Sequence, residues 1–498
     1  MMLRRRWALA VLLLLVGGIG LGLSPRNQVP IRTLSTSAVG VPGLAKAQPN
    51  TFHADQFCAK PGVLDESCLN NAEKAAATTR GLVIVPAGTF VLRGTVTLAS
   101  GVTTQGAGID KSILRQADGR NLDTMVTTPD GASRVTFTNC TVDGNAARNT
   151  GPGQRFGVLF HSCADCTAQR LKVTNMYGLN GHTGNALAFG EHSTHAVVEE
   201  CVVGPNLGHL TMSRGWPETH QEDGIFVKGA NARVLNNYVE GATDTAIVAE
   251  GAADWPVTNP LIEGNTVINS VQGIAWDNAT RDAPATSGRV AKNTLSGTGA
   301  YGAYSGQAIY ILRIKGLADS QGRSTAVVTE NTIHDTSRGA GIRVEESNTV
   351  TVSYNKLTNI GGRGSGFHFD GIGIYVTGSD RFTICNNQVF AAGENGIALF
   401  GVSDSTVCNN IVRDSSQAQG RAVDGILIYD ELPASTSAPP THGRGSARIN
   451  VFGNTSTGAS QRSGLRIDGK ASQIAVGPNN LSGNGVSGYV NVNARQVR

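Results

Sequence analysis

The feature that most constrains this chain is a phrase that returns along most of its length. A small residue is followed by Ile or Leu, a second β-branched residue comes two positions later, and a polar turn then leads into Asn-x-Val. In Gly224-Ile225-x-Val227 the period-two spacing points Ile225 and Val227 to one side of a strand, and Asn237 then precedes Val239. The first half returns at Ala246-Ile247, Gly273-Ile274, Ala308-Ile309, Gly341-Ile342, Gly371-Ile372, Gly396-Ile397, Gly425-Ile426 and Gly464-Leu465. The second half returns at Asn265, Asn293, Asn331, Asn355, Asn387, Asn410 and Asn480. Self-similarity at this period is the signature of a solenoid, whose core grows in one dimension. Each unit holds two or three short strands and no helical periodicity. The expected fold is therefore all-β, a single-stranded parallel β-helix of about twelve coils between residues 132 and 490. Stacking in register aligns the asparagines into a ladder on one turn, where each amide bonds the rungs beside it; that column is read as structural.

The 63 glycines and 5% aromatic residues suit thin rungs joined by tight turns. Ahead of the repeat the chain divides into recognisable pieces. Residues 1–24 read as an export signal or an uncleaved membrane anchor, with Arg4, Arg5 and Arg6 before an apolar run over residues 7–23. Residues 25–50 form a Pro/Ser/Thr linker. Residues 51–115 hold an N-terminal cap and the first coils. Within them Asp65 caps a short helix running through Ala77, whose Leu69, Ala72 and Ala76 share a face that would close the open end of the solenoid. Residues 116–490 are the β-helix and 491–498 a tail. Three excursions, 204–222, 277–306 and 430–448, are long for such coils, and long loops on a rigid scaffold are where ligands are met.

The formal charge is +4, but residues 1–47 carry six basic residues and no acidic one, which leaves 35 basic against 37 acidic residues in the exported body. That balance lacks the cationic excess a phosphate backbone requires and argues against a nucleic-acid partner. Eight cysteines fit an oxidising destination. Cys58 and Cys68 are close enough in sequence to close a loop. Cys385 and Cys408 each stand two residues before a ladder asparagine on consecutive coils, and a rung spacing of about 4.8 Å falls inside the roughly 4.4–6.8 Å Cα window of a disulfide. No register pairs Cys140, Cys163, Cys166 or Cys201.

Aligning the phrases also produces outward columns. Before the small residue stand Asn185, Asp223, Gln272, Gln307, Asp370, Asn395 and Asp424, with Asp244 beside Thr245. Farther along the strand come Lys228, Glu250, Asp277, Glu345 and Tyr375, and between them Tyr310 and Arg343. Carboxylates, amides, cations and tyrosines thus line one long face, as a groove for an extended sugar polymer would require. Asp223 and Asp244, at nearly equivalent positions on neighbouring coils, are candidates for paired acid–base catalysis. Glu250 and Asp277 share a column on adjacent coils flanked by Lys228, and can bind sugar or Ca²⁺; full extension sets this pair about 15 Å from the first. Arg313 and Lys315 can neutralise a sugar carboxylate. Lys228, Tyr310, Arg343 and Tyr375 join Glu250 and Asp277 as substrate-binding candidates. A surface salt bridge between Lys228 and Glu250 is the plain alternative.

The order helix, then Val83-Ile-Val-Pro-Ala-Gly-Thr-Phe90, then Gly101-Val-Thr-Thr-Gln-Gly-Ala-Gly108, resembles the opening of the pectate-lyase-like superfamily of right-handed β-helices. That resemblance implies a right-handed coil and leaves the chemistry open, because lyases, hydrolases, epimerases, tailspikes and binding proteins share it. A partial resemblance to polygalacturonases runs through Gln221-Glu-Asp-Gly224, Asp244-Thr-Ala-Ile247, Val271-Gln-Gly273 and Arg313-Ile-Lys315. It implies catalytic roles for Asp223, Asp244, Arg313 and Lys315, although Thr245 and Gln272 stand where that family has aspartate and histidine. The expectation is an exported, monomeric carbohydrate-active protein that cleaves a uronate-containing polysaccharide as a lyase or a hydrolase. It would use no cofactor, or Ca²⁺ if a lyase, and touch a membrane only through residues 7–23. The other class it could belong to is a non-catalytic glycan-binding or cell-surface scaffold.

Overall fold

The computed structural model describes residues 50–151, 155–180, 184–213, 216–299, 306–361, 369–417, 423–430 and 445–492, without the side chains of 179–180 and 209–221. Residues 1–49, which hold the expected export signal or anchor and nearly all of the expected linker, the end of the tail, much of the 430–448 excursion and the side chain of His220 lie outside the described residues. No described helix is long and apolar enough to cross a membrane.

Three sheets of 15, 16 and 13 strands wind through the described residues; most strands pair in parallel with the third or fourth strand on in sequence, while Leu179–Asn180 and His209–Ser213 pair antiparallel with Trp216–Val227. This is the parallel β-helix the repeat predicts. Twelve of the 15 strands of the first sheet fall after residue 132, which matches the expected coil number. The core is the stack of inward residues, with Ile225, Ile247, Ile274, Ile309, Ile342, Ile374, Ile397 and Ile426 fully or almost fully buried. Burial of each such side chain contributes about 1.5–3 kcal/mol, so the core is a sum of similar small terms repeated along the axis.

Helix α1 (Glu66–Ala77) covers the first coil with Leu69, Ala72 and Ala76 buried beneath it, and the Asp65 carboxylate accepts the Ser67 N–H at 3.0 Å as its N-cap. Glu73 on the same helix is also buried and accepts the Ala99 N–H at 2.9 Å.

The asparagine ladder forms as expected. It runs through Asn237, Asn265, Asn293, Asn331, Asn355, Asn387, Asn410, Asn454 and Asn479, each side-chain oxygen accepting the backbone N–H of the asparagine before it. The final member is Asn479 rather than Asn480: Asn480 bridges Thr455, which puts its predecessor opposite Asn454. Toward the N-terminus the column continues as Cys201, Leu171 and Cys140, one residue ahead of the paired Val202, Lys172 and Thr141. The Cys201 N–H closes the ladder on Asn237 at 2.9 Å. This explains the cysteines that no register pairs, since Cys140 and Cys201 are free thiols buried in a structural column. Cys385 and Cys408 pair in register and are bonded, with Cα atoms 4.6 Å apart. Cys58 is bonded to Cys68. Cys163 and Cys166 are bonded as well, a link inside one corner that inter-coil register could not reveal.

The second sheet carries the candidate site on seven consecutive strands: β1 (Gly184–Phe189), β2 (Trp216–Val227), β3 (Thr245–Gly251), β4 (Gln272–Asn278), β5 (Ile309–Leu312), β6 (Ile342–Glu345) and β7 (Ile374–Thr377). Residues 204–222 are not a plain loop. His209–Ser213 runs antiparallel to the first half of β2, so a hairpin leads straight into the sheet.

Candidate carboxylate site

The register of β2 to β4 decides which side chains meet. Ile225 pairs with Ile247 and Ile247 with Ile274. Counting back, Asp223 stands opposite Thr245, and Asp244 stands opposite Glu222. The two aspartates expected at nearly equivalent positions are therefore diagonal neighbours, and the residue in register with Asp244 is one that the repeat gives no reason to select. Gly371-Ile372 needs a similar correction. Ile342 pairs with Ile374, not Ile372, so Tyr375 lies in the row of Tyr310 and Arg343 rather than that of Glu345, and Asp370 falls outside the Asp223 column. Both errors have one cause: the phrase fixes inward residues, whereas the turn before it varies in length.

Asp223 is almost wholly buried and accepts the Thr245 N–H at 2.9 Å. Burial, then the neighbouring Asp244 charge, pushes its carboxyl well above the usual range, and Glu250 and Asp277 add to the effect. The two pairs are separated along the strands yet reach one another electrostatically in this poorly solvated face. Glu222 is fully buried, and neither carboxylate oxygen has a hydrogen-bond partner among the described residues. Burial, reinforced by Asp223, holds it well above its ordinary value. Glu250 and Asp277 pair in register, as the column predicted. Burial raises both: Asp277 reaches about 7, with Glu250 adding to the rise and Arg313 opposing it, while Lys228 opposes the rise at Glu250. One Asp277 oxygen is buried with no partner among the described residues.

The cations are committed elsewhere. Lys228 pairs with Glu191 at 3.3 Å, not with Glu250, and lies over the Trp255 ring at 4.2 Å. Arg313 sits past the end of β5 and binds Glu346 at 2.9 Å and the Ala279 carbonyl at 2.9 Å; Arg281 joins Glu346 from the other side at 2.8 Å. Arg343 binds Glu345 at 2.6 Å between the rings of Phe369 and Tyr310, whose hydroxyl donates to Glu345 at 2.9 Å. Lys315 is farther still, on the turn toward the first sheet, where it bridges Asn348 and its carbonyl accepts the Thr286 N–H. Tyr375 packs between Phe369 and Phe400 in a buried aromatic cluster. The sheet thus gathers Glu222, Asp223, Asp244, Glu250 and Asp277, sets Tyr310, Arg343 and Tyr375 along the next coils, and leaves Lys315 apart.

Calcium takes six to eight oxygen ligands, and among the described residues no group of three or more His, Cys, Asp and Glu side chains is arranged to hold a metal ion. The pair Glu250 and Asp277 alone does not make such a site. What this face offers chemically is a set of carboxyl groups that burial holds protonated toward neutral pH, as a general acid must be.

No curated protein matches the chain. Among solved structures it is similar to a tailspike protein mutant of E. coli bacteriophage HK620 in complex with pentasaccharide, at 12% identity, covering 88% of this chain and 78% of that one with a TM-score of 0.62. It is also similar to DFA-IIIase from Arthrobacter chlorophenolicus A6 without its lid, at 12% identity, 76% and 99% coverage and a TM-score of 0.53. A third is bacteriophage phi29 gene product 12, at 15% identity, 88% and 68% coverage and a TM-score of 0.52. These likenesses establish the fold. The sequence also matches the family described as right handed beta helix region over residues 126–313, 223–368 and 289–481, and the chain belongs to that family.

Proposed function

We propose that this chain is an exported carbohydrate-active protein that cleaves a polysaccharide by hydrolysis on the outer face of β2 to β4. The observation that carries this reading is Asp223, a buried carboxyl group raised in pKa and set against Asp244 on the next coil. A carboxyl that keeps its proton near neutrality can protonate a glycosidic oxygen, while an ionised neighbour activates water or attacks the sugar. Export is supported by the three disulfides and by the basic-then-apolar segment at residues 1–24. The fold accommodates such a ligand, since the tailspike chain of similar fold holds a pentasaccharide.

Uronate specificity has less support. A lyase or a uronate hydrolase needs a cation for the sugar carboxylate, and Lys228, Arg313 and Arg343 are engaged by Glu191, Glu346 and Glu345. Elimination also needs a base, whereas the Tyr310 hydroxyl is held in its protonated form by burial, with Glu345 adding to the effect. The scaffold reading is favoured by Thr245 and Gln272, which leave Asp223 as the one carboxylate in its column over β2 to β4. Incubation with a panel of polysaccharides separates the cases. New reducing ends without unsaturated product support hydrolysis, unsaturated uronates overturn it in favour of a lyase, and binding with no cleavage leaves the scaffold.

A further inference from the structure

The site contains acceptors that no donor among the described residues satisfies. Both oxygens of the fully buried Glu222, the side-chain oxygen of Asn185 and one oxygen of Asp277 are buried in this way. Asn185 pairs in register with Asp223, so these orphans lie on β1, β2 and β4 around the same carboxylates. Glu222 is not there for the fold. Its equivalents on neighbouring coils include Gly184 and Val271, and a buried carboxyl group without partners is strongly disfavoured. Its backbone is fixed by the Thr243 hydroxyl at 3.0 Å and by the Asp244 N–H at 3.2 Å, which holds the acid beside Asp223.

The charges that the described strands bring to this spot are of one sign. Asp223 shares the strand with Glu222, Asp244 and Glu250 come from β3, and Asp277 comes from β4, while β1 brings Gly184 and Asn185, neither charged. The two cations flanking the acids, Lys228 and Arg313, are paired with Glu191 and Glu346. Ionised, such a face attracts positive charge and repels an anionic sugar; neutral, its unpartnered oxygens still accept hydrogen bonds. An ammonium group supplies three donors and the missing charge in one ligand atom. A bare divalent ion needs its oxygens gathered closely around it, which the described carboxylates do not do.

We propose that the β1–β4 face binds a polysaccharide carrying free amino groups, a hexosamine polymer, with the sugar ammonium between Glu250 and Asp277. The inference rests on the carbohydrate reading and names its sugar class. Binding is linked to protons: an ammonium favours the ionised carboxyls, so carboxyl groups that burial keeps protonated release protons when the ligand arrives. Affinity therefore rises with pH through the range where Asp277 titrates, about 7, until the amine itself deprotonates.

The test is calorimetry with oligomers of glucosamine, of N-acetylglucosamine and of galacturonate, in buffers of different ionisation heat. The expected result is that the amine oligomer binds at least about tenfold more tightly than its acetylated counterpart, with proton release, and that Asp277→Asn and Glu250→Gln each lose most of that preference while keeping the parent Tm. Should either substitution lower the Tm, competition of the parent complex by salt gives a second reading of the same charge contact. Equal affinity for amine and acetylated oligomers, or tighter binding of the uronate, overturns the inference, as does calcium chloride raising the parent Tm while the amine oligomer does not. Cleavage of some other polysaccharide without amine binding sinks this inference alone; amine binding without any cleavage sinks the hydrolytic reading alone.

Discussion

Replacing Asn293 by alanine tests the claim that the ladder serves the fold. The Asn293 amide makes four hydrogen bonds: its oxygen accepts the Asn265 N–H and the Asn265 amide, both at 2.9 Å, and its nitrogen donates to the Ile262 carbonyl at 3.0 Å and to Asn331 at 2.9 Å. Alanine removes all four. The Asn265 amide keeps its bond to the Val234 carbonyl at 2.9 Å, and the Asn331 oxygen keeps the Asn293 backbone N–H at 3.0 Å. The Asn265 backbone N–H loses its partner in a buried turn, and stranding one such group costs about 1–3 kcal/mol. Long repeat arrays need not unfold in one step, so a midpoint alone is a poor gauge. Native-state hydrogen exchange at the Asn265 amide reads the term locally: protection should fall roughly 5- to 150-fold, the equivalent of that free energy, and amides several coils away should be unchanged. Polysaccharide binding at the acidic face should persist. Unchanged exchange at Asn265, or loss of activity with protection intact, would refute the structural reading of the column.

Single substitutions at the acids should divide by role, Asp223→Asn and Asp244→Asn acting mainly on kcat, and Glu250→Gln and Asp277→Asn mainly on KM, in steady-state assays on any polysaccharide the parent cleaves; parent-like kinetics in all four would move the site elsewhere. Glu73, raised by burial from 4.5 to about 7 despite bonds from Thr104 and Ala99, binds its proton more tightly folded than unfolded. Its stabilising effect is therefore full below about pH 4.5 and is lost as pH rises to about 7, a change on the order of 3 kcal/mol; Glu73→Gln should flatten the pH dependence of denaturation over that window, and an unaltered curve would contradict the assignment. Non-reducing peptide maps should link Cys385 to Cys408, Cys58 to Cys68 and Cys163 to Cys166. Cys140 and Cys201, whose thiols burial pushes to about 12, should react with alkylating agents only after unfolding.

The residues of the interior were legible because each coil repeats the same local problem. A strand of the second sheet must turn Ile inward after a small residue, and an asparagine must close the next corner, so one phrase written many times defines the fold, the ladder and the Cys385–Cys408 register. Even the slips at Asn480 and Gly371 are shifts of one or two residues within that scheme. The outward face obeys no such rule. Lys228 takes Glu191 from an earlier coil instead of Glu250, Arg313 takes Glu346 from the following one, and the hairpin at His209–Ser213 turns an expected loop into sheet. Asp223, Glu250 and Asp277 were visible in sequence as acids in columns. Glu222 was not, because a glutamate one residue ahead of an aspartate reads as a solvated turn until stacking shows it buried, with no donor among the described residues. The repeat by itself determined which side chains face inward and in what order. Only the stacked coils decided which outward charges meet, because those contacts depend on turn lengths and neighbours that no single repeat contains.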